Sequence, residues 1–236
     1  MNRYFYSSAI SEFLIQSNEK IIGELSINNQ FDLDKTQKDA WLKQIDILKK
    51  VLHPFQGQIF FEFSIPRMGR RIDVVVIVQS VIFVIEFKVG EKEFLSSALD
   101  QVWDYALDLK NFHEASHNHL IAPILIATEA KAVVSNIATT PHNDRLLFPI
   151  KVNVTNLGNV IRNILDFDSD SETIIIDKWS IGKYYPTPTI IEAAMALYSN
   201  HNVADISRND ATAVNLSQTS NAIADVIEKA KINNEK

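Results

Sequence analysis

Three consecutive β-strands between residues 58 and 89 constrain the fold of this chain more than any other feature. Hydrophobic residues occupy every second position from Ile59 to Ile65, which is the period of a strand. Two strongly apolar runs follow at 72–78 and 81–89, and each is joined to the segment before it by a short turn. The sequence therefore predicts a β-meander, in which neighbouring strands pair antiparallel.

Helical periodicity flanks the meander on both sides. Hydrophobic residues recur at spacings of four and three from Trp41 to Leu52, behind a capping pair formed by Asp34 and Gln37. The same spacing from Leu95 to Leu109 predicts a second helix, and the apolar run 120–128 predicts a buried strand. The resulting order, αβββαβ, favours an α/β or α+β sandwich around a mixed sheet.

Weaker patterns complete the secondary structure. They predict a helix over 8–25, a strand over 147–154, a helix over 157–165, a strand over 173–179, and helices over 189–199 and 221–231.

Charge and composition exclude several classes of protein. The 236 residues carry a net charge of -6, so contact with nucleic acid must come from a local cluster of positive charge. Cysteine is absent, which excludes disulfides and thiolate zinc sites and fits a cytoplasmic protein. The longest apolar runs span five residues, far below the ~18 that a membrane helix needs. We therefore expect a cytoplasmic protein without a membrane anchor or an export signal.

Two carboxylates and a lysine are expected to meet on this apolar sheet. Glu86 and Lys88 are two positions apart on the third strand, so their side chains share a face. Pairing through the turn at Gln79 and Ser80 places Asp73 directly opposite Glu86. Burying such charges is unfavourable unless they pair with each other or bind a cation. The cluster is therefore either a salt-bridged sheet edge or a site for a divalent ion such as Mg²⁺.

These residues resemble the signature of PD-(D/E)XK nucleases, in which an aspartate precedes a Glu-x-Lys triplet. Here the match is Asp73 with Glu86-Phe-Lys88, although Ile72 stands where the motif has proline. Gln101-Val-Trp-Asp-Tyr105 resembles the Q-x-x-x-Y motif of the RecB-like branch. The resemblance implies a restriction-endonuclease-like α/β/α sandwich that hydrolyses phosphodiester bonds. Asp73 and Glu86 would bind Mg²⁺ or Mn²⁺, and the catalytic residues would be Asp73, Glu86, Lys88, Gln101 and Tyr105.

The resemblance extends to Schlafen-type superfamily I helicase proteins that carry an N-terminal nuclease-like domain. It implies N-terminal helices over 1–55, a nuclease-like core over 56–186, and a helical extension over 187–236 that leads to an ATP-dependent helicase domain in the same polypeptide. The substrate would be DNA in preference to RNA, with RNA as the alternative, in bacterial defence or in repair, and the chain could form a homo-oligomer. No G-x-x-x-x-G-K-[ST] motif occurs in these residues. The competing hypothesis is an inactive nuclease fold that only binds nucleic acid or a partner.

Additional residues extend the predicted site. Strand pairing would bring Glu62 near Asp73, although an exposed position on the strand fits the pattern equally well. Glu12, in the first helix, is a further candidate ligand, since the fold often takes one acid from that helix. Positive side chains close to the site suggest a surface for phosphates. They are Arg67, Arg70, Arg71 and Lys92.

Two other motifs offer alternatives. His113-Glu114-Ala-Ser-His117 fits the H-E-x-x-H pattern of zinc peptidases, with His119 as an additional ligand. It falls where the preceding helix is expected to end, so a polar helix terminus explains it better. A second Glu-x-Lys triplet, Glu129 to Lys131, lacks a partner aspartate on an adjacent strand and is assigned to a solvated strand end.

Overall fold

The computed structural model describes residues 3–29, 35–66, 69–134, 136–142, 144–168 and 171–184. All of the helices and strands given below lie in one compact unit, Met1–Lys183. Arg67 and the helices predicted over 189–199 and 221–231 fall outside the described residues. None of the described helices is both long enough and apolar enough to cross a membrane.

Six strands form one mixed sheet whose spatial order follows the order of the chain. The strands are β1 (Tyr6–Ala9), β2 (Gln58–Ile65), β3 (Arg70–Val78), β4 (Val81–Lys88), β5 (Leu120–Ala127) and β6 (Ile150–Val152). The first four pair antiparallel, whereas β5 and β6 pair parallel to their neighbours. The predicted meander and the α/β class with a mixed sheet are confirmed.

Helices cover both faces of the sheet. They are α1 (Ile10–Ile15), α2 (Asn18–Asn28), α3 (Lys35–Leu52), α4 (Ser96–Phe112), α5 (Leu157–Phe167) and α6 (Ile176–Ser180). Side chains of α1, α2, α3 and α5 share one apolar core with alternate strand residues such as Val76, Phe83 and Phe87. On the opposite face α4 packs against β4 and β5, where Gln101 contacts Lys88. The order α3-β2-β3-β4-α4-β5 agrees with the predicted αβββαβ arrangement.

The prediction of a last strand over 173–179 is wrong. Residues 173–179 were expected to be extended because β-branched residues favour strands. The chain instead forms the short helix α6, and its Trp179 is buried against Phe60 at a ring distance of 5.2 Å. Tertiary packing of this indole overrides the local preference, and the sequence pattern carries no sign of it.

The N-terminal segment is also divided differently from the prediction. A single helix was expected over 8–25, but the chain forms β1, α1 and α2 in turn. Ser17 begins α2, because its hydroxyl accepts a hydrogen bond from the Lys20 backbone N–H at 3.3 Å. β1 joins the same sheet as the predicted core. The domain boundaries at residues 55 and 186 stay predictions.

β6 is shorter than predicted because of a proline. The expected strand covered 147–154, whereas β6 contains only Ile150–Val152. Pro149 stands immediately before it and has no N–H to donate to a ladder. On the other side of the proline, Leu147 forms an isolated bridge with Thr139, and its backbone N–H donates to the Ile121 carbonyl at 3.0 Å.

Candidate functional site

The ladder between β2 and β3 is interrupted at Glu62 and Asp73. Pairing is continuous from Gln58 to Phe61 and resumes at Phe63, with the opposing residues Glu62 and Asp73 left out of it. Glu62 has a φ of 52°, in the left-handed region that non-glycine residues seldom occupy. Such a conformation costs about 1–3 kcal/mol and is found preferentially at functional sites. The interruption therefore marks this end of the sheet as specialised.

The positive φ of Glu62 reverses the side on which the following side chains lie. Phe61 packs against Tyr6 and Phe13, each at 5.9 Å between ring centroids. Phe63, two residues later, packs against Trp179 at 5.2 Å instead. Residues two apart on a regular strand point to the same face, so the strand turns over at Glu62. Glu62 thus lies at the point where the side chains of β2 change from one face of the sheet to the other.

Asp73 and Glu86 are neighbours at the end of the β3–β4 ladder. The last pair of that ladder is Val74 with Ile85, which confirms the register predicted from the turn at residues 79 and 80. The Phe87 backbone N–H donates to Oδ2 of Asp73 at 2.9 Å. Glu86 is only 3% exposed. Two carboxylates are therefore held side by side in an apolar environment.

Burial and repulsion from neighbouring carboxylates raise the pKa of both carboxyl groups. Burial is the main cause that raises the pKa of Asp73 well above its ordinary value, with the charges of Glu86 and Glu62 adding to it. Burial also raises the pKa of Glu86, against the opposing effect of Lys88. A bound cation would relieve this repulsion, because it favours the ionised form of every carboxylate around it.

Lys88 connects Glu86 to helix α4. Its Nζ lies 2.9 Å from Oε1 of Glu86 and 3.1 Å from Oε1 of Gln101. The Gln101 side-chain amide in turn donates to the Tyr105 hydroxyl at 2.8 Å. Tyr105 is 2% exposed, and burial raises its pKa, with the charges of Glu86 and Asp73 acting in the same direction. The structure thus brings together the five residues predicted to be catalytic.

One carboxylate oxygen in this cluster is buried without a hydrogen bond. Among the described residues Oε2 of Glu86 has no hydrogen-bond donor, while Oε1 accepts a hydrogen bond from the Lys88 ammonium. A buried charged oxygen that lacks a donor costs free energy, which a cation would recover. Within the described residues, no three His, Asp or Glu side chains are close enough together to count as a metal-binding group. The pair formed by Asp73 and Glu86 still fits Mg²⁺, which takes one or two carboxylates and keeps several waters.

The Glu62 side chain is buried, and both of its carboxylate oxygens accept hydrogen bonds. It is 8% exposed, so the alternative of an exposed strand residue is wrong. Trp41 Nε1 donates to its Oε1 at 2.9 Å, and Arg71 Nε donates to its Oε2 at 2.7 Å. The Arg71 guanidinium also lies over the Phe5 ring, 4.7 Å from its centroid. Both oxygens of Glu62 therefore already accept a hydrogen bond from a neighbouring side chain.

Trp41 is the contact that the sequence analysis missed. It was assigned only to the buried stripe of a helix, and it is indeed 1% exposed. A buried indole N–H needs an acceptor, and a buried carboxylate needs donors. Those two requirements together could have suggested a hydrogen bond from Trp41 to Glu62.

The outer predicted residues lie at different distances from the cluster. Glu12 is exposed on α1, where its charge acts on Tyr6, and the structure does not place it with Asp73 or Glu86. Arg70 is exposed at the start of β3, and its charge acts on Tyr105. The exposed Lys92 follows β4 in a loop, while Arg67 is among the residues that are not described.

The second Glu-x-Lys triplet follows β5 beside the loop after β4, where the Glu129 backbone N–H donates to the Glu91 carbonyl at 3.0 Å. Glu129 and Lys131 are both exposed in the segment after β5. This placement confirms their assignment to a solvated strand end.

The H-E-x-x-H segment does not form a helix. As predicted, α4 ends just before it, and a short 3₁₀ turn follows at Glu114–Ser116. The His113 ring is fully buried, and its Nδ1 lies 2.7 Å from the Ser116 hydroxyl, which also accepts a hydrogen bond from Trp179 Nε1. Burial lowers the pKa of His113 to about 3. His113 and His117 therefore lack the shared helical face that the zinc motif requires.

Lys110 explains the shape of the same segment. Its ammonium donates to the backbone carbonyls of His117 at 3.0 Å and of His119 at 2.9 Å. Burial lowers the pKa of Lys110 to about 8. A buried lysine thus holds this turn together, in keeping with a structural role for the segment.

No family model matches the sequence, and no curated protein matches it closely enough to be a relative. A functional conclusion must therefore come from the contacts within the cluster and from the motifs that it contains.

Proposed function

We propose that this chain is a divalent-metal-dependent nuclease that hydrolyses phosphodiester bonds, with DNA as its substrate in preference to RNA. The observation that carries the proposal is the unpartnered Oε2 of Glu86, which is buried beside Asp73 while Lys88 occupies Oε1. This combination resembles the PD-(D/E)XK site. The αβββαβ order of elements is also the one expected for a restriction-endonuclease-like fold.

Asp73 and Glu86 are the residues that would hold Mg²⁺ or Mn²⁺. One oxygen of each carboxylate already accepts a hydrogen bond. Oδ2 of Asp73 accepts from the Phe87 backbone N–H, and Oε1 of Glu86 accepts from Lys88. The remaining oxygen of each carboxylate is left for the ion. A bound divalent ion polarises a phosphate oxygen and lowers the pKa of a bound water.

Lys88 would act on the substrate through its ammonium group. Glu86 and Gln101 hold Nζ from two sides, and 30% of the side chain remains exposed. An ammonium in this position can donate to a phosphate oxygen or orient the attacking water. Tyr105 fixes the orientation of the Gln101 amide, so that its oxygen faces Lys88. Gln101 and Tyr105 therefore serve to position the lysine.

The partners included in this proposal follow from the charge distribution and the motifs. Arg70 and Arg71 provide positive charge near the cluster, and Lys92 adds an exposed charge in the loop after β4, in a chain whose net charge is -6. Such a small surface would neutralise few phosphates, so binding should be weak and salt-sensitive. An ATP-dependent helicase domain in the same polypeptide, acting in the cytoplasm, would deliver the strand.

A second candidate is a catalytically inactive module that only binds nucleic acid. One observation favours it: Lys88 already pairs with Glu86 at 2.9 Å, which compensates part of the buried charge without any metal.

Cleavage assays separate the two candidates. The protein is incubated with single-stranded, duplex and forked DNA and with RNA, in Mg²⁺, Mn²⁺ or EDTA. The nuclease proposal expects metal-dependent cleavage that Asp73→Asn and Lys88→Gln abolish, although both variants still unfold in a single cooperative transition. Glu129→Gln, in the exposed second triplet, is the matched control and should cleave like the wild type. Binding without cleavage in every metal would support the inactive module instead.

A further inference from the structure

Arg71 is held more rigidly than an exposed arginine on a strand normally is. Its Nε donates to Glu62 at 2.7 Å, and its guanidinium lies over Phe5 at 4.7 Å. Its side chain is 31% exposed. In the described part of the chain, its two Nη groups make no hydrogen bond. The end of the guanidinium is therefore free to bind a ligand while the rest is fixed.

Glu62 is arranged as the anchor of that arginine. One oxygen accepts from Trp41 and the other from Arg71, so a metal would have to share oxygens that already have donors. The backbone of Glu62 adopts its positive φ in the interrupted part of the ladder, which turns its carboxylate toward these two donors. The strain at this residue is thus explained by the contact with Trp41 and Arg71.

We propose that Arg71 binds one backbone phosphate next to the phosphate that is cleaved, and that Trp41 and Glu62 are positioning residues for it. This inference rests on the proposed nuclease function and deepens it. It assigns Glu62 to substrate positioning instead of to the metal. The ligand is a single phosphodiester of a nucleic-acid strand.

The chemistry of the guanidinium fits that ligand. The two Nη groups form a planar fork that can donate to both non-bridging oxygens of one phosphate. Because Glu62 and Phe5 already restrict the side chain, little rotamer entropy is lost when the phosphate binds. Arg70 is the adjacent residue on β3, and its charge acts on Tyr105 on the α4 side. Arg70 therefore provides a matched comparison at nearly the same position.

Replacing single phosphates by methylphosphonates tests the assignment. A short fluorescein-labelled DNA strand, and its RNA counterpart, carry one neutral methylphosphonate at each position in turn. Affinity is measured by anisotropy in EDTA, so that neither metal nor cleavage contributes. For the wild type, we expect one position to weaken binding about tenfold, the effect of losing a charge-assisted contact.

The variants identify the side chain that contacts the phosphate at that position. In Arg71→Gln the methylphosphonate at this position should no longer weaken binding, because the contact is already absent. Glu62→Gln, which has nearly the same shape, and Trp41→Phe should reduce the effect several-fold, whereas Arg70→Gln should retain it. Melting curves of all four proteins show whether each variant is folded, and Trp41→Phe serves if Glu62→Gln is not.

Distinct results overturn the inference. If the methylphosphonate at this position still weakens binding by Arg71→Gln, Arg71 does not contact that phosphate, even if metal-dependent cleavage is found. An effect of unchanged size in both Glu62→Gln and Trp41→Phe would exclude their positioning role. If Glu62→Gln abolished the metal-induced rise in melting temperature as Asp73→Asn does, Glu62 would be a ligand. A wild-type protein that bound neither strand in EDTA would overturn this inference, whereas the nuclease proposal is decided separately by the cleavage assay in Mg²⁺ or Mn²⁺.

Discussion

Asp73 accepts a hydrogen bond from the backbone N–H of Phe87, not from a side chain. The two strands are thus joined through Oδ2 of Asp73 one position beyond the last pair of their ladder. This bond fixes the orientation of the carboxylate and directs its other oxygen away from the backbone. An asparagine in the same place can keep the bond, because its side-chain oxygen is also an acceptor.

Asp73→Asn is therefore expected to stabilise the metal-free protein. The substitution removes the charge of a half-buried side chain, whose ionisation is opposed by desolvation and by Glu86. We expect the free energy of unfolding at pH 7 to rise by about 1 kcal/mol, measured by urea denaturation in EDTA. Near pH 4, where the carboxyl is protonated, the two proteins should differ little. A variant less stable than the wild type at pH 7 would show that neighbouring groups stabilise the ionised Asp73 carboxylate in the folded protein.

The stabilisation by Mg²⁺ should increase with pH. A carboxyl whose pKa is raised on folding contributes stability at low pH, and this contribution is lost as the pH rises from its ordinary value through the folded-state value. Protons and Mg²⁺ compete for the same oxygens, so the ion should raise the melting temperature more at pH 8 than at pH 5. Thermal melts at several Mg²⁺ concentrations measure this difference. An equal response in Asp73→Asn would place the ion elsewhere.

Lys88 should contribute to stability mainly by compensating Glu86. Lys88→Met leaves a buried carboxylate without its 2.9 Å partner, and we expect a loss of about 1–3 kcal/mol. In the double variant Lys88→Met with Glu86→Gln, most of that loss should disappear because the charge is gone. A double-mutant cycle from urea denaturation gives the coupling energy. Additive effects of the two substitutions would contradict the pairing.

Acid should destabilise the protein through His113. Its pKa is about 3 when folded against about 6.5 when unfolded, so only the unfolded chain takes up a proton between these values. Stability is then fully present above pH 6.5 and is lost at up to about 1.4 kcal/mol per pH unit below it. Because Trp179 lies 4.9 Å from this ring, its fluorescence follows the transition. His113→Gln should be less stable at pH 7 and should show a shallower pH dependence between 6.5 and 5.

The register around Asp73 and Glu86 could be predicted because two strands joined by a two-residue turn have one pairing that keeps every apolar residue buried. The observed pair Val74 with Ile85 agrees with it. Gln101 was a candidate because of a motif on the next helix, but its contact with Lys88 was not predicted, since periodicity alone does not set how a helix docks. Local patterns were therefore sufficient for the register of strands that are close in sequence.

The environment of Glu62 was beyond such reasoning. Alternation along a strand places a residue on one of two faces, and Glu62 departs from alternation through its positive φ. Its partner Trp41 is in a helix that precedes the sheet, and neither residue has a local signal for the other. For the same reason α6 was mistaken for a strand, because burial of Trp179 depends on contacts with Phe60 and Phe63 far away in the sequence.

Because strand order in space follows chain order, the candidate site is built from one continuous stretch of sequence. Glu62, Asp73, Glu86, Lys88 and Tyr105 all precede β5 in the chain, and β2, β3 and β4 pair only with their sequence neighbours up to that point. During synthesis from the N-terminus, the meander and α4 emerge from the ribosome before the parallel half of the sheet does, and they can associate first. β5 and β6 then close the remaining edge of a site whose residues have already been translated.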